Sequence, residues 1–377
     1  SASYMKILLV CASLEPGLDG VGDYARRLAA GFCKTGHEVM LVALNDRHIN
    51  GLTKDSTNDF RIIRLPKSMP EEERYRIFQT LLNTFNPDWL SLQYVCYSFQ
   101  KRGITFNLVK QLKKVKIKAY IHIMFHEIWI GESNESTWKD KITGFLQRRA
   151  VSALVKTLKP AGISTSNSFY KNCLAKAGIP ANKIPIFSNM PVGNPSGRKI
   201  YEQLPAEIQH NRSAYVLATF FGGFHYRDQL DSKLIRLAQR VKKEMKKQLI
   251  ITHVGKSAGI EEQFERLAQT TNIPMRVLGT WDAQDIADYF SLCDVSFANH
   301  PLVLFEKSGS IAAALYNKCP VIVLRDNIAA NDQKTAEVEQ MERINNIEEF
   351  INQDAGFSEK YDPDSVAVQY LTMFKAS

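Results

Sequence analysis

The chain has 377 residues, 45% of them hydrophobic and 23% charged, with a formal net charge of +9. That length is too great for one ordinary hydrophobic core, so two domains are expected, and the composition is that of an ordinary soluble globular protein. The longest apolar runs, such as LVCA and YIHIMF, fall far short of the roughly 20 residues that a membrane span needs.

Ser1–Tyr4 reads as an expression scar ahead of Met5. Lys6 and the apolar run behind it look superficially like a signal peptide, but EPGLDG lacks a small-residue cleavage pattern. The strand KILLVCA, Lys6–Ala12, shows no alternation, as expected of a central parallel strand covered on both faces. SLEPGLDGVGDY is a loop of turn residues. An amphipathic helix follows over Gly22–Thr35, with Tyr24, Leu28, Ala29 and Phe32 toward a core, and Gly36 ends it before the strand HEVMLVAL.

The unit then repeats: strand FRIIRLP, helix Glu71–Phe85, strand DWLSLQYV, helix Ile104–Lys114, strand KAYIHIMF and a helix from Ser136 on. PAGISTS and IPIFSNM continue the series as strands. Alternation of this kind implies a doubly wound parallel sheet. Pro191–Arg198, PVGNPSGR, has the composition of a linker.

After it the pattern restarts with strand AYVLATFF, a Gly-Gly loop, helix Gln229–Met245 and strand QLIITHVG. Helix Ile260–Thr270, strand MRVLG, helix Ala283–Ser291, strand DVSFAN, helix Gly309–Tyr316 and strand PVIVL follow. Ile347–Ile351 and Pro363–Phe374 are helical. The fold class is therefore α/β, with two Rossmann-like domains over residues 1–192 and 193–359. Such a pair is expected to face an open cleft with the carboxyl ends of both sheets, where ligands of these folds bind.

The six cysteines, Cys11, Cys33, Cys96, Cys173, Cys293 and Cys319, show no CxxC and no metal-ligand spacing. Their mostly apolar contexts suit buried thiols of a reducing compartment, so a cytoplasmic protein is the simple expectation. Two basic clusters stand out, Lys110, Lys113, Lys114, Lys116 and Lys118, and Arg240, Lys242, Lys243, Lys246 and Lys247. Each reads as a solvated helix face; the functional reading is attraction to an anionic membrane surface. Nucleic acid is not expected, because no recognition module or interleaved aromatic residues accompany the charge.

Several strand ends carry chemistry. Glu15–Gly22 follows a strand and opens a helix, and Gly17, Gly20 and Gly22 allow a ligand close to the backbone at a helix N-terminus. The spacing is not the dinucleotide fingerprint, and a plain tight turn fits as well. His126, Glu127 and Trp129 close the strand KAYIHIMF and suit hydrogen bonding to and stacking on a sugar, although a histidine there is often satisfied structure. Gly222, Gly223 and Arg227 lie between a strand and a helix, where glycines admit a ligand and a guanidinium binds phosphate through two parallel bonds. Gly255-Lys256 ends the next strand similarly.

Leu304–Val323, LFEKSGSIAAALYNKCPVIV, is the most telling stretch. Lys307, Ser308, Gly309 and Ser310 bring a cation, two hydroxyls, free backbone N–H groups and a helix dipole to one place, which makes a phosphate cradle. An N-cap role for Ser308 is compatible with it.

With these residues in view, the chain resembles the retaining, nucleotide-sugar-dependent glycosyltransferases of the GT-B fold, specifically glycosyltransferase family 4 (group 1), over nearly its whole length. P-GLDGVGDYARRLAAGFCKTGHEV resembles that family's glycine loop, helix and Gly-His-x-Val sequence. PDWLSLQY, the His-Glu at 126–127 and TSNSFYKNCLAKAGIPANKIPIFSN resemble later strand ends and the crossover into the second domain. GTWDAQDIADYFSLCDVSFAN, which begins at Gly279 and Thr280, looks like the segment near the nucleotide base, and KCPVIV like the Gly-x-Pro-Val-Ile ending. YDPDSVAVQYLTMF resembles the C-terminal helix, here about residues 360–377, that packs back on the first domain.

The chain departs from the pattern at several positions. The family's two glutamates fall on Phe305 and Ala313 when counted back from Pro320, with Glu306 one residue from the first. Gly223 and approximately Arg227 take the places of its Arg and Lys, and Asp19 replaces the first glycine of its N-terminal pair.

The resemblance implies a hexosyltransferase that moves a sugar from a nucleoside-diphosphate sugar, a UDP-sugar such as UDP-glucose by family default, to a glycan or lipid-linked acceptor in polysaccharide biosynthesis. It implies that Gly20 offers its N–H to the donor, and that His126, Glu127, Trp129 and Glu306 meet the sugars. Arg227, Lys256, Lys307, Ser308 and Ser310 would neutralise the diphosphate, with Gly222, Gly223, Gly279, Thr280 and Gly309 admitting the nucleotide. Stabilisation of the leaving group would be the main catalytic term. The nucleotide sugar is a co-substrate, no cofactor or divalent metal is expected, and the Asp-x-Asp at Asp362–Asp364 looks incidental. The alternatives are a non-catalytic nucleotide-sugar-binding partner and a sugar-nucleotide epimerase of the same shape. A nicotinamide dehydrogenase lacks its fingerprint.

Overall fold

Runs of mostly buried, apolar-rich residues build two largely parallel sheets, as strands covered on both faces require. In the computed structural model, residues 3–56, 59–133, 135–325, 337–353 and 358–377 are described. They form two units, Ser1–Pro185 with Pro363–Ser377, and Ile186–Asp362.

The first unit has strands β1 Lys6–Cys11, β2 Glu38–Asp46, β3 Thr53–Asp55, β4 Arg61–Pro66, β5 Trp89–Tyr94, β6 Tyr120–Phe125, β7 Gly162–Thr165 and β8 Asn182–Lys183. Their order is β3-β4-β2-β1-β5-β6-β7-β8. Every pairing is parallel except that of β3 with β4. Strand order reverses between β1 and β5, the switch point where ligands of open α/β sheets bind.

The helix Gly20–Lys34 buries Tyr24, Leu28, Ala29 and Phe32 as its sequence implies. Gly22 explains how it lies so close to the preceding loop, because a Cβ there would come within 2.7 Å of the Ser13 carbonyl oxygen. The helix Pro363–Lys375 lies against it, with a Cβ on Gly31 reaching 2.8 Å from that of Ala367. Phe374 of the same helix stacks on Trp89, centroids 4.4 Å apart.

Two local expectations change. IPIFSNM is not a strand; Ile184 donates its N–H to Thr165 and the chain then leaves the sheet. Pro185 has no N–H to continue the ladder. β3 escapes notice because the three residues TKD carry no apolar alternation.

The second unit has strands β9 Tyr215–Phe221, β10 Gln248–Val254, β11 Met275–Val277, β12 Val295–Ala298, β13 Val321–Val323 and β14 Val338–Gln340. They are parallel in the order β11-β10-β9-β12-β13-β14, with the switch point between β9 and β12. One apolar layer, with Leu217, Ile250, Tyr289 and Leu315, covers one face, and another, with Val216, Leu234, Phe264 and Ile347, covers the other. Pro191–Arg198 is fastened to this unit rather than loose. Gly193 and Asn194 donate their N–H groups to Asn317 at 2.6 Å and Asp288 at 2.7 Å.

The cysteines are free thiols, all buried except half-buried Cys33. Among the described residues no helix is long and apolar enough to cross a membrane. Asp364 pairs with Arg27 and Lys34, and Asp362 accepts from Tyr316, so both carboxylates of the Asp-x-Asp have structural partners.

Candidate functional site

In the second unit, four loops meet at the carboxyl end of the sheet because the strands before them are neighbours. Gly222 donates its N–H to Val254 at 3.0 Å, and Gly255 donates to Gly279 at 2.9 Å. His253, itself fully buried, donates from Nε2 to the Gly222 carbonyl at 2.7 Å, and Phe224 donates its N–H to Ser257 at 3.0 Å. The result is a tied crest that contains Gly222, Gly223, Gly279 and the residues flanking Lys256 and Thr280. Gly222 and Gly279 have left-handed backbone, φ +75° and +88°, with open space where a Cβ would point. Glycine is the residue that takes that conformation without strain.

Beside this crest the helix Gly309–Tyr316 begins. Ser308 is its N-cap, and its Oγ accepts from the N–H of Ile311 at 3.2 Å, so the expected cap is present. Gly309 has open space at its Cβ position. A pocket of ≈ 60 Å³ joins Gly223 to Ser308 and Ser310, with Asn299 and His300 on its wall. That is a subsite, well below the ~300 Å³ of a whole-ligand site.

His300 and Arg325 were not anticipated from the sequence. Burial pushes the His300 imidazole below its ordinary pKa, and the nearby charges of Lys307 and Arg325 push it further. An imidazole, an ammonium and a guanidinium therefore gather at the start of a helix whose dipole also favours negative charge. Both new residues lie just past the ends of β12 and β13. Their only signal in the sequence was that position, after VSFA and VIV.

Arg227 is exposed on the loop after Gly223, and the two residues behind it, Asp228 and Gln229, have left-handed backbone, φ +56° and +54°. Two such residues in a row are uncommon outside glycine and mark a backbone held against its preference. Glu306 is half-buried in the 3-10 turn Leu302–Lys307, facing Tyr361, whose phenol burial and the Glu337 and Glu306 carboxylates push up. Phe305 and Ala313 are both buried in the core, so neither position of the family's glutamates reaches the pocket here.

A broader groove of ≈ 920 Å³, lined by Lys242, Lys243, Lys246, Gln248, Asn272 and Pro274, lies at the start of β10. It is at the opposite end of the sheet from these loops, where α/β sheets do not place their ligands.

The first unit supplies a second group. Gly20 opens its helix and is exposed, with nothing near its Cβ direction, while the N-cap Asp19 accepts from Gly22 at 2.8 Å. The loop before it is pinned from below. Arg64 donates from Nε to Asp46 at 2.7 Å and also pairs with Glu15, and Asp46 accepts the N–H of Leu14 at 3.1 Å. Tyr24 of the helix meets His126 edge-on, centroids 4.7 Å apart, so Gly20 and His126 belong to one neighbourhood.

His126 is the outer end of a buried polar chain. Its Nε2–H donates to Gln93 Oε1 at 2.7 Å, and the Gln93 amide donates to Ser91 at 2.9 Å. Ser91 donates to His122 Nδ1 at 2.8 Å, and His122 Nε2–H donates to Ser164 at 2.9 Å. With the protons running this one way every member is satisfied, which fixes the His126 tautomer. Trp129 is buried with its indole N–H on Glu132 at 2.7 Å. It packs beneath the loop and presents no open face for a sugar. Glu127 is half-buried beside it.

Burial, with the nearby His126, lowers the His122 pKa to about 3. In the unfolded chain a histidine titrates near ~6.5, so between those values the unfolded state binds the extra proton and folding is disfavoured. Stability from this group is complete above ~6.5 and is lost as pH falls toward about 3. Thermal melting of the wild type and of His122→Asn from neutral pH downward checks this, and the variant is expected to show the shallower slope. An unchanged slope would remove His122 as its source.

No protein-family model matches the sequence. No curated protein matches it either. Solved structures do. Sucrose-phosphate synthase from Thermosynechococcus elongatus is 15% identical with a TM-score of 0.56, over 99% of this chain and 94% of that one. Anabaena Alr3699/HepE in complex with UDP is 14% identical with a TM-score of 0.55, over 99% and 98%. UDP-GlcNAc 2-epimerase from Methanocaldococcus jannaschii is 10% identical with a TM-score of 0.53, over 99% and 100%. What these chains share with this one is the fold, with two Rossmann-like units.

Proposed function

On the premise that this chain has the GT-B fold, we propose that it is a retaining glycosyltransferase that moves a hexosyl group from a UDP-sugar to a glycan or lipid-linked acceptor in polysaccharide biosynthesis. The observation that carries the reading is the meeting of Gly223, Ser308, Ser310 and His300 in one pocket, with Lys307 and Arg325 charged beside it. This is a site made for an anion at a helix start.

In this reading the pocket takes the diphosphate and Arg227 closes on it from its exposed loop. Gly222 and Gly279 leave room for the nucleoside over the crest, with Lys256 and Thr280 at its edge. The anomeric carbon–oxygen bond to the diphosphate breaks and the acceptor oxygen bonds to the same face. The acceptor's proton passes to the leaving phosphate oxygen, so the products are the nucleoside diphosphate and the glycoside. The protein's part is electrostatic, holding the charge that develops on the leaving group. His126, fixed in one tautomer, and the N–H of Gly20 are assigned to the donor sugar, with Glu127 and Glu306 as further contacts to sugar hydroxyls.

The first test is thermal melting with UDP, GDP, ADP, dTDP and NAD. A nucleotide at about 100 times its dissociation constant adds roughly 2.7 kcal/mol to the state that binds it. A shift with UDP alone is expected, and no shift with any diphosphate would defeat the reading. The epimerase of the same fold supports a second reading, and incubation with a UDP-sugar distinguishes the two. Epimerisation returns an isomeric UDP-sugar without any acceptor, whereas transfer releases UDP and depends on one.

A further inference from the structure

The helix Trp138–Leu158 turns a second apolar face outward. Its inner face buries Gly144, Ala150, Val151, Leu154 and Leu158 against the first unit. Gly144 marks how closely it sits, since a Cβ there would be 1.8 Å from the Ile130 carbonyl oxygen. On the opposite side Trp138 is 68% exposed, Ile142 54%, Phe145 59% and Leu146 39%. Residues 138, 142, 145 and 149 follow the i, i+4, i+7, i+11 spacing of a single helix stripe. The twelve exposed large hydrophobic residues among those described are otherwise scattered, so four on two turns of one helix form a patch.

Along the helix the exposed charge is of one sign. Lys139, Lys141, Arg148, Arg149 and Lys156 are all exposed, and the only acid of the helix, Asp140, is taken up in a capping box with Thr137. Lys139 sits 5.7 Å from the Trp138 ring centre and Arg149 6.0 Å from that of Phe145. The neighbouring helix Phe106–Lys113 adds exposed Phe106, Lys110 and Lys113.

We propose that this face docks on an anionic lipid surface, with Trp138, Ile142, Phe145 and Leu146 in the headgroup–acyl boundary and the basic side chains on lipid phosphates. An aromatic and aliphatic stripe bordered by lysine and arginine is the composition of helices that lie in that boundary. A second copy of the chain fits poorly, because a two-fold contact would set Lys139, Lys141, Arg148 and Arg149 against themselves. Protein interfaces are also depleted in lysine. The inference goes beyond the reading of the nucleotide pocket and does not depend on it. It also moves the membrane-facing surface from the lysine clusters alone to a helix that combines charge with apolar depth.

The test is co-sedimentation of the full chain with vesicles of phosphatidylcholine alone or mixed with phosphatidylglycerol. Binding to the mixed vesicles is expected, weakened by added salt and lowered roughly tenfold or more in Ile142→Glu/Phe145→Glu. Arg148→Glu/Arg149→Glu is expected to remove the preference for the anionic lipid. Both variants alter exposed side chains, and an unchanged melting temperature confirms that they fold. Equal binding to both vesicle types, or binding untouched by Ile142→Glu/Phe145→Glu, overturns the proposal. So does a dimer in sedimentation velocity that the same variant abolishes.

Discussion

Arg227→Ala is expected to lower sugar-nucleotide turnover by about 10²–10³-fold, the scale of losing one charge-stabilising donor from a preorganised site, while leaving the melting temperature unchanged. The two halves of that expectation have separate origins. The side chain is exposed, and among the described residues no hydrogen bond or ion pair of Arg227 supports the fold, so its removal costs little stability. Its loop is nevertheless held in place. Phe224 is tied to Ser257, Gly222 to His253, and Asp228 and Gln229 stay in the left-handed region. The guanidinium thus sits exposed on a fixed loop, and binding phosphate through two parallel bonds is the role proposed for it. Arg227→Lys separates geometry from charge, since an ammonium cannot make two parallel bonds, and partial recovery of turnover is expected. Wild-type turnover in Arg227→Ala would remove Arg227 from the mechanism. The outcome leaves the pocket at Ser308 to the nucleotide melting series.

Arg64→Ala is expected to destabilise the first unit by about 3–5 kcal/mol, the usual cost of leaving one member of a buried ion pair alone. Asp46 has no exposed surface and its partner Arg64 is 13% exposed. Burial by itself would raise the Asp46 pKa. The Arg64 guanidinium and the N–H groups of Leu14 and His48 outweigh it and hold the carboxyl below its ordinary range. A carboxylate with a depressed pKa contributes stability above its unfolded value of ~3.9, and that stability is lost as pH falls through the folded value. In Arg64→Ala burial dominates instead, so the penalty is largest at neutral pH and shrinks once Asp46 takes a proton. Denaturant melts of both proteins across acid pH measure that difference, and a penalty independent of pH would assign the loss to packing. The expected drop in melting temperature is on the order of 10 °C for a unit of this size. Because Asp46 also carries the loop that leads to Gly20, the loop should be among the first segments to gain hydrogen exchange.

The strand-and-helix frame was legible because each signal was local. Apolar-rich runs marked β1, β5, β9 and β10, and helix ends such as Ser308 and Gly36 carried their own caps and breaks. Even the pocket was half visible, since Gly223, Ser308 and Ser310 sit at strand ends that any doubly wound sheet gathers together. IPIFSNM misled because its apolar residues belong to packing after Pro185 and not to a ladder.

What the chain could not reveal on its own is which side chains of separate strands meet. Ser91 faces His122 because β5 and β6 pair in that register, and Ser164 completes the chain from β7. The Arg325 charge likewise reaches His300 because β12 and β13 are neighbours. Periodicity reports how each segment buries its own faces. Register, and with it the contacts that fix His126 and bring the Arg325 charge to His300, is settled by the packing of segments far apart in sequence.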